Sequence, residues 1–226
     1  MRRPSLKRVV DVAVAAPMLV LTAPVVAAAA AAVRLTMGRP VLFRQVRAGR
    51  HGEPFELLKL RTMLPPDAAA GRIDDAVRLT RLGRWLRATS IDELPALWNV
   101  LAGDMSLVGP RPLLVEYLPR YSPTQARRHE IRPGITGLAQ ISGRNALSWP
   151  ARLALDVRYV DEQSLALDLW ILLRTVSAVL RRQGINEAGH ATMSVFRPGH
   201  DQGADGPPGD HPPLLDPLAA AASRSA

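Results

Sequence analysis

Residues 89–112 read TSIDELPALWNVLAGDMSLVGPRP, with two adjacent carboxylates, Asp92 and Glu93, ahead of an apolar segment and a Gly-Pro-Arg-Pro turn. Ser90 and Glu93 have the spacing of a capping box at a helix start. Because proline is tolerated only in the first helical turn, Pro95 favours a slightly later start, and with Asp92 at the N-cap it would fall at the third helical position. With either start, both carboxylates lie near the N-terminus of a helix. The helix dipole there favours ionised carboxylates, which serve as nucleophiles or as ligands of hard metal ions.

An Asp-Glu pair at a helix start is most often structural, so its neighbours decide the interpretation. Arg84 and Arg87 precede the pair, and Arg111 follows it between Pro110 and Pro112, which limit the conformations of the turn. A guanidinium group can bind a phosphate through two parallel hydrogen bonds. These surroundings favour a functional role over a purely structural pair.

The composition limits the kinds of partner and site. The chain has 226 residues, a net charge of +9, five histidines and no cysteine. A chain this basic suits an anionic partner: a nucleic acid, an anionic membrane surface or a phosphorylated substrate. The absence of cysteine excludes disulfides and thiolate metal sites, and the histidines lack the spacing of a zinc site.

The N-terminal region predicts a membrane segment. Residues 1–8 are basic, and residues 12–33 carry no charge, which gives about 33 Å of helix, enough to cross a bilayer of about 30 Å. A cleaved secretory leader, a spanning helix and two half-helices that turn back at Pro24 all fit this pattern. Arginines on both flanks give no clear orientation by the positive-inside rule.

A β-hairpin is predicted between the membrane segment and the carboxylates. Residues 41–43 and 55–60 are apolar runs that flank a turn rich in glycine and proline. The second run carries Lys59, and Arg61 follows it, so the hairpin is either an ordinary basic surface or one wall of a phosphate site. There is no Walker A sequence and no Gly-x-Gly-x-x-Gly motif, so any nucleotide is bound in another way.

Three further segments have distinct patterns. Residues 78–87 predict a basic amphipathic helix, whose apolar side carries Leu79, Leu82, Trp85 and Leu86. Residues 165–180 predict an apolar helix that lies in the core or at a membrane interface. Residues 187–226 have a biased composition without periodicity, which predicts disorder.

Several motifs together resemble the bacterial sugar transferases, which are monotopic polyprenyl-phosphate phosphoglycosyl transferases. The stretch DELPALWNVLAGDMSLVGPRP, at residues 92–112, resembles the family signature. The string RQVRAGRHGEPF followed by KLRTM, within residues 44–63, and PGITGLAQISGRN, at residues 133–145, are similar to family elements in the same order. Asp156 and Tyr159 resemble the late Asp-x-x-Tyr element of the family.

The resemblance implies an α+β, mainly helical fold that associates with a membrane. Its expected parts are an N-terminal re-entrant or spanning membrane helix, amphipathic interface helices and a small β-hairpin. The expected boundaries are 1–36 for the membrane anchor, 37–186 for the cytoplasmic transferase domain and 187–226 for the tail. Family members turn the membrane helix back at a Ser-Pro pair, whereas this chain has Ala23 and Pro24. The implied location is the bacterial inner membrane, with the catalytic domain facing the cytoplasm.

The resemblance also implies a reaction: transfer of a sugar-1-phosphate from a UDP-sugar to a polyprenyl (undecaprenyl) phosphate, with release of UMP. This would be the first membrane step of exopolysaccharide, capsule or glycoconjugate assembly. Asp92 is expected to form a covalent aspartyl intermediate, and Glu93 to place Mg²⁺, with Asp92 as its other ligand, or to assist with protons. The substrate-binding candidates are Lys59, Arg61, Arg87, Pro110, Arg111, Pro112, Gln140, Arg144 and Asp156.

Two other functions fit part of the sequence. A nucleic-acid-binding regulator could use residues 78–101 as a helix-turn-helix, but residues 94–101 are apolar where a recognition helix is basic. A secreted cationic binding protein would require cleavage of residues 1–32. We expect a UDP-sugar, a polyprenyl phosphate and the lipid bilayer as partners, and no nucleic acid. The sugar, the pathway and the formation of a homo-oligomer stay open.

Overall fold

The computed structural model describes residues 5–67, 69, 73–143, 147–180 and 196. Within these residues, short helices surround two small β-sheets, and one long helix at the N-terminus packs against them. The predicted α+β, mainly helical architecture is confirmed.

The described chain alternates between helices and short strands. The helices are α1 (Leu6–Met37), α2 (Asp75–Arg78), α3 (Arg81–Thr89), α4 (Ala96–Ala102), α5 (Pro123–Ala126), α6 (Leu138–Ile141), α7 (Trp149–Glu162) and α8 (Leu165–Leu180). The strands are β1 (Leu42–Ala48), β2 (Pro54–Leu60), β3 (Ser106–Val108) and β4 (Gly134–Thr136). Short 3₁₀ turns lie at Arg50–Gly52, Ile91–Glu93, Val115–Arg120 and Arg127–His129.

The N-terminal helix α1 has 32 residues and is continuous. The side chain of Ser5 caps its start, and Gly38, with a φ of 75°, follows its end. Pro17 and Pro24 lie inside the helix, so the predicted half-helices are not separated by a non-helical residue at Ala23 and Pro24. A proline removes one N–H and kinks a helix, but it does not have to end it. By length and composition alone, α1 is able to cross a membrane.

Both ends of α1 are bonded to the rest of the protein. Near its start, Lys7 forms an ion pair with Asp168 of α8 at 2.6 Å, and buried Asp11 accepts two hydrogen bonds from β3. At its other end, the Arg61 guanidinium donates to the carbonyls of Met37, Gly38 and Arg39. Each end of the helix therefore has a buried polar attachment as well as apolar packing.

The middle of α1 contributes little to the core. Ala15 and Ala29 are buried, but none of the residues between them is. In this interval Val20 and Leu21 are 73% and 76% exposed. A contiguous exposed apolar surface of this kind is typical of contact with lipid or with another protein.

The sequence predicts the strand pairing of the first sheet but not that of the second. Strands β1 and β2 pair in antiparallel fashion, which confirms the hairpin. Strands β3 and β4 form a parallel pair, with Ser106 opposite Gly134, and bring residues distant in sequence together. A Cβ atom on Gly134 would lie 2.1 Å from the backbone nitrogen of Gly109, so only glycine allows this approach.

The largest hydrophobic cluster joins α4, β3 and α8. It contains Leu97 and Val100 of α4, Leu107 of β3 and Ile171 of α8. Burial of each such side chain contributes about 1.5–3 kcal/mol to folding. Because α4 is built into the core, it is not an exposed recognition helix, and the helix-turn-helix interpretation loses its main element.

The amphipathic helix predicted over residues 78–87 begins later than expected. Thr80 caps α3 by accepting a hydrogen bond from the N–H of Gly83 at 2.9 Å, which fixes the helix start at Arg81. Leu86 is completely buried, whereas Trp85 is 50% exposed. The buried face of α3 is therefore narrower than the sequence pattern indicates.

Phe196 packs into a cluster of aromatic side chains. Its ring contacts Tyr117, Tyr121 and Trp149, and its carbonyl accepts a hydrogen bond from Arg120 at 2.8 Å. At this residue, buried aromatic contacts can offset the loss of chain entropy, and the disorder predicted over 187–226 stays a prediction. The other residues of that segment lie outside the described part of the chain.

His129 gives the fold a pH-dependent contribution to stability. Its Nδ1 contacts the carbonyl oxygen of Gly49 at 3.1 Å, and the residue is buried. Burial, together with the neighbouring Arg128, lowers the pKa of His129 to about 4. An unfolded histidine takes up a proton near pH 6.5, so the folded state loses stability as pH falls from about 6.5 to about 4.

We expect His129→Gln to reduce this acid sensitivity, because glutamine can still donate to the Gly49 carbonyl but does not titrate. The difference in unfolding free energy between the two proteins should change by up to about 3 kcal/mol over this pH range. Guanidinium titrations in detergent micelles at several pH values measure it, with the exposed His51→Asn as a control. Identical pH slopes for wild type and His129→Gln would contradict the assignment.

Candidate active site

The carboxylate pair lies on the 3₁₀ turn Ile91–Glu93, between α3 and α4. The predicted capping box does not form, because Ser90 adopts a left-handed conformation with a φ of 56° and ends α3. Pro95, and not Asp92, occupies the N-cap of α4. The pair still lies just before a helix, but the side chain of Glu93 bonds to distant cations instead of the local backbone.

Glu93 joins two cations that come from different segments. Its Oε1 accepts hydrogen bonds from Lys59 Nζ and from Arg111 Nη2, each at 2.7 Å. Burial, the largest influence, would by itself raise the pKa of Glu93, but Arg111 and Lys59 together lower it well below the ordinary range. Glu93 is therefore a fixed anion at neutral pH.

Asp92 has the opposite electrostatic character. It is buried, and burial, with a further effect of Glu93, raises its pKa to about 6, although Lys59, Arg87 and Arg111 oppose the shift. Such a carboxylate is mostly ionised at neutral pH and more basic than an ordinary aspartate. Adjacent carboxylates whose environments separate their pKa values can take different roles in one reaction.

A pocket that is lined by Glu93, but not by Asp92, carries mostly positive charge. Its charged lining consists of Arg47, Lys59, Glu93 and Arg111, and Leu57 and Ile135 are among the apolar lining residues. Arg47 was not among the residues predicted from the sequence. This combination suits a ligand with phosphate groups.

Backbone contacts fix the Gly-Pro-Arg-Pro turn. The carbonyl of Pro110 accepts from the N–H of Gly134 at 2.9 Å, and the carbonyl of Arg111 accepts from Arg128 Nη2 at 2.7 Å. Pro112 lines the pocket itself. The predicted turn residues thus lie together, and β4 determines their position.

Asn99 sets the hairpin against α4. Its Oδ1 accepts from the N–H of Leu58 at 3.1 Å, and its Nδ2 donates to the carbonyl of Glu56 at 2.8 Å. These bonds hold the strand that carries Lys59 beside the helix that follows Glu93. Sequence reasoning missed this residue, although a single asparagine within an apolar helix was a visible signal.

Two predicted binding residues take structural roles. Asp156 is buried and forms an ion pair with Arg128 at 2.7 Å, and Arg128 in turn donates to the carbonyl of Arg111. Asp156 is not among the pocket-lining residues. Arg61 bonds to the carbonyls at the end of α1 and is not among the residues that line the pocket with Glu93. For both side chains, the role in substrate binding stays a prediction.

The other candidates differ in how close they lie to the pair. Arg87 donates to Thr62 Oγ1 at 3.1 Å and is near enough to Asp92 to influence its pKa. Both amide atoms of Gln140 are buried and lack a partner among the described residues, which is compatible with binding a polar ligand. Arg144 lies outside the described residues, so its prediction remains open.

Asp92 and Glu93 provide only part of a metal site. Within the described ranges, no group of three or more acidic or histidine side chains could hold a metal ion. Mg²⁺ is commonly held by one or two carboxylates together with substrate phosphates and water. The adjacent carboxylates fit that pattern if a phosphorylated substrate completes the coordination.

The sequence is similar to several known proteins. It matches the family described as "Bacterial sugar transferase" over residues 2–182. It is 54% identical over 192 residues to the "Uncharacterized sugar transferase EpsL" of Bacillus subtilis (strain 168), covering 84% of this chain and 95% of that protein. It is 49% identical over 187 residues to the "UDP-glucose:undecaprenyl-phosphate glucose-1-phosphate transferase" of Caulobacter vibrioides, covering 77% and 69%. The "Exopolysaccharide production protein ExoY" of Rhizobium meliloti is 38% identical over 196 residues, covering 79% and 87%.

The Lys59–Glu93 bond should contribute measurably to stability, because both side chains are largely shielded from water. We expect a coupling energy of about 1–3 kcal/mol from a double-mutant cycle of Lys59→Met and Glu93→Gln. Guanidinium unfolding of the four proteins in detergent micelles measures this energy. The exposed pair Arg44–Glu56 is the control, with an expected coupling below about 1 kcal/mol. Equal coupling in the two cycles would contradict the assignment.

Proposed function

Since the chain belongs to the bacterial sugar transferase family and is a sugar-phosphate transferase, we propose that it moves a sugar-1-phosphate from a UDP-sugar to a polyprenyl (undecaprenyl) phosphate. UMP is the second product. The observation that carries this proposal is the position of Asp92 beside Glu93, Lys59 and Arg111. The reaction would begin exopolysaccharide, capsule or glycoconjugate assembly at the membrane.

The proposed reaction consists of two displacements at the same phosphorus atom. An oxygen of the ionised Asp92 attacks the phosphorus that bears the sugar, and the bond to UMP breaks, so that UMP leaves with the electron pair. An oxygen of the polyprenyl phosphate then attacks this phosphorus and releases the Asp92 carboxylate. The products are a polyprenyl diphosphate sugar and UMP, and splitting the transfer in this way leads to ping-pong kinetics.

The cations around Asp92 would stabilise the charge that moves during both displacements. Lys59 and Arg111 are held by Glu93 before substrate binds, so they need little reorganisation. The charge of Arg87 also favours the ionised form of Asp92. Asp92 and Glu93 would hold Mg²⁺ together with substrate phosphates, and the bound ion would supply positive charge to the leaving phosphate.

The contacts of α1 support a re-entrant arrangement in the membrane. A straight helix of 32 residues would be about 48 Å long, and crossing a bilayer would separate its ends by about 30 Å. Yet Lys7 and Met37, which lie near opposite ends of α1, both bond to the folded part of the chain that follows α1, here called the body. A helix bent around Pro24, with its exposed middle in lipid, keeps both attachments on one face. We infer a bacterial inner membrane location with the body in the cytoplasm.

Loss of the Asp92 nucleophile should abolish turnover. With membrane-bound protein, Mg²⁺, a polyprenyl phosphate and a panel of UDP-sugars, we expect Asp92→Asn to lower UMP release by at least about 1000-fold. The exposed Asp74→Asn serves as the control and should retain wild-type activity. Full activity of Asp92→Asn would overturn the covalent mechanism. A wild-type protein that releases no UMP from any UDP-sugar would contradict the proposed donor.

The topology of α1 can be tested with single cysteines, because the chain has none. We expect Ser5→Cys and Thr36→Cys to react with a membrane-impermeant maleimide from the same side, since both ends of α1 bond to one body. Leu21→Cys, in the exposed middle, should be protected until detergent is added. Labelling of the two ends from opposite sides would contradict the re-entrant arrangement.

A further inference from the structure

Arg47 lies on β1 and lines the same pocket as Lys59, Glu93 and Arg111. Its Nη2 donates to Gln45, two residues away on the same strand, and its Nη1 is 3.5 Å from the carbonyl of Pro112. Its Nε is buried and has no partner within the part of the chain that the structure describes. A buried guanidinium donor without a partner is uncommon, because water that it loses on burial is not replaced.

Arg47 also lies close to another guanidinium. Burial and the charge of Arg111 lower the pKa of Arg47 to about 10, so both arginines remain charged at neutral pH. Three cations therefore line the pocket, and Glu93 is the carboxylate that lines it with them. That carboxylate already accepts from Lys59 and Arg111 through one oxygen. The charge of Arg47 is left without a comparable partner in the pocket, and a bound anion would supply one.

We propose that Arg47 is a second phosphate-binding arginine, which contacts a phosphate oxygen of a substrate in this pocket beside Arg111. The identity of the anion rests on the proposed function, in which both substrates carry phosphate. The donor diphosphate and the polyprenyl phosphate share this chemistry. In either case Nε and one Nη of Arg47 could bind two phosphate oxygens side by side.

A purely structural role for Arg47 explains less of the geometry. Its contact to Pro112 is at the long limit of a hydrogen bond, and its other partner belongs to its own strand. Arg61 also has a buried Nε without a partner among the described residues, but both of its Nη groups donate to carbonyls at the end of α1, and it does not line this pocket. Arg47 can therefore turn toward a ligand without breaking contacts that hold the fold together.

The test compares Arg47→Met and Arg47→Lys with Arg44→Met, a control on the same strand whose exposed side chain pairs with Glu56. UMP release is measured while the UDP-sugar and the polyprenyl phosphate are varied separately. We expect Arg47→Met to raise the KM of one substrate by about 10- to 100-fold, the effect of a lost charge-assisted hydrogen bond, with partial recovery in Arg47→Lys. The substrate whose KM rises identifies the phosphate that Arg47 contacts.

Equilibrium binding of inorganic pyrophosphate gives a second measurement that does not depend on turnover. Arg47→Met should weaken this binding by a similar factor, whereas Arg44→Met should not, and all variants should keep the wild-type melting temperature. Unchanged KM values and unchanged pyrophosphate affinity would overturn the proposal, as would a lower melting temperature with unchanged affinities. If no UDP-sugar is turned over, the proposed function fails, and pyrophosphate binding alone decides the role of Arg47: weaker binding in Arg47→Met supports it, and no binding by wild type overturns it.

Discussion

The arrangement of charged side chains depends on the hydrogen bonds that the Glu93 carboxylate accepts. One of its oxygens accepts from Lys59 of the hairpin and from Arg111 of the Gly-Pro-Arg-Pro turn. Because both cations contact the same oxygen, they lie close together and would repel each other without the shared anion. Their presence in turn keeps Glu93 ionised, whereas Asp92 is the more basic member of the pair. One ion-paired carboxylate thereby organises the charge around the other.

Hydrogen bonds to backbone groups, as well as apolar packing, position the scaffold around this interaction. Asn99 bonds the backbone of β2, and β4 meets the turn at Gly134. Arg128, in a buried ion pair with Asp156, donates a hydrogen bond to the carbonyl of Arg111. These bonds restrict the positions of the cations, which matters because electrostatic stabilisation is effective only when the charges are placed in advance.

The membrane helix is part of the same structure and not a separate tether. Asp11 near its start bonds to β3, the strand that precedes the Gly-Pro-Arg-Pro turn. At the other end of the helix, the carbonyls of Met37 and Gly38 accept hydrogen bonds from Arg61, which follows Lys59 by two residues in the chain. The helix thus contacts both segments that supply cations to Glu93. In the proposed re-entrant arrangement, this connection would keep the carboxylate pair close to the lipid surface.

The sequence by itself determined the local features: the long apolar N-terminal helix, the hairpin, and Asp92, Glu93, Lys59 and Arg111 as charged residues that belong together. These follow from patterns within short, contiguous stretches, and from motifs that resemble a known family. The partners of individual side chains did not follow, because they lie far away along the chain. Only the tertiary structure assigned Arg61 to the end of α1, paired Asp156 with Arg128 and brought Arg47 into the pocket. A basic or acidic residue has the same local pattern whether it binds substrate or backbone, and the folded neighbours decide which of the two it does.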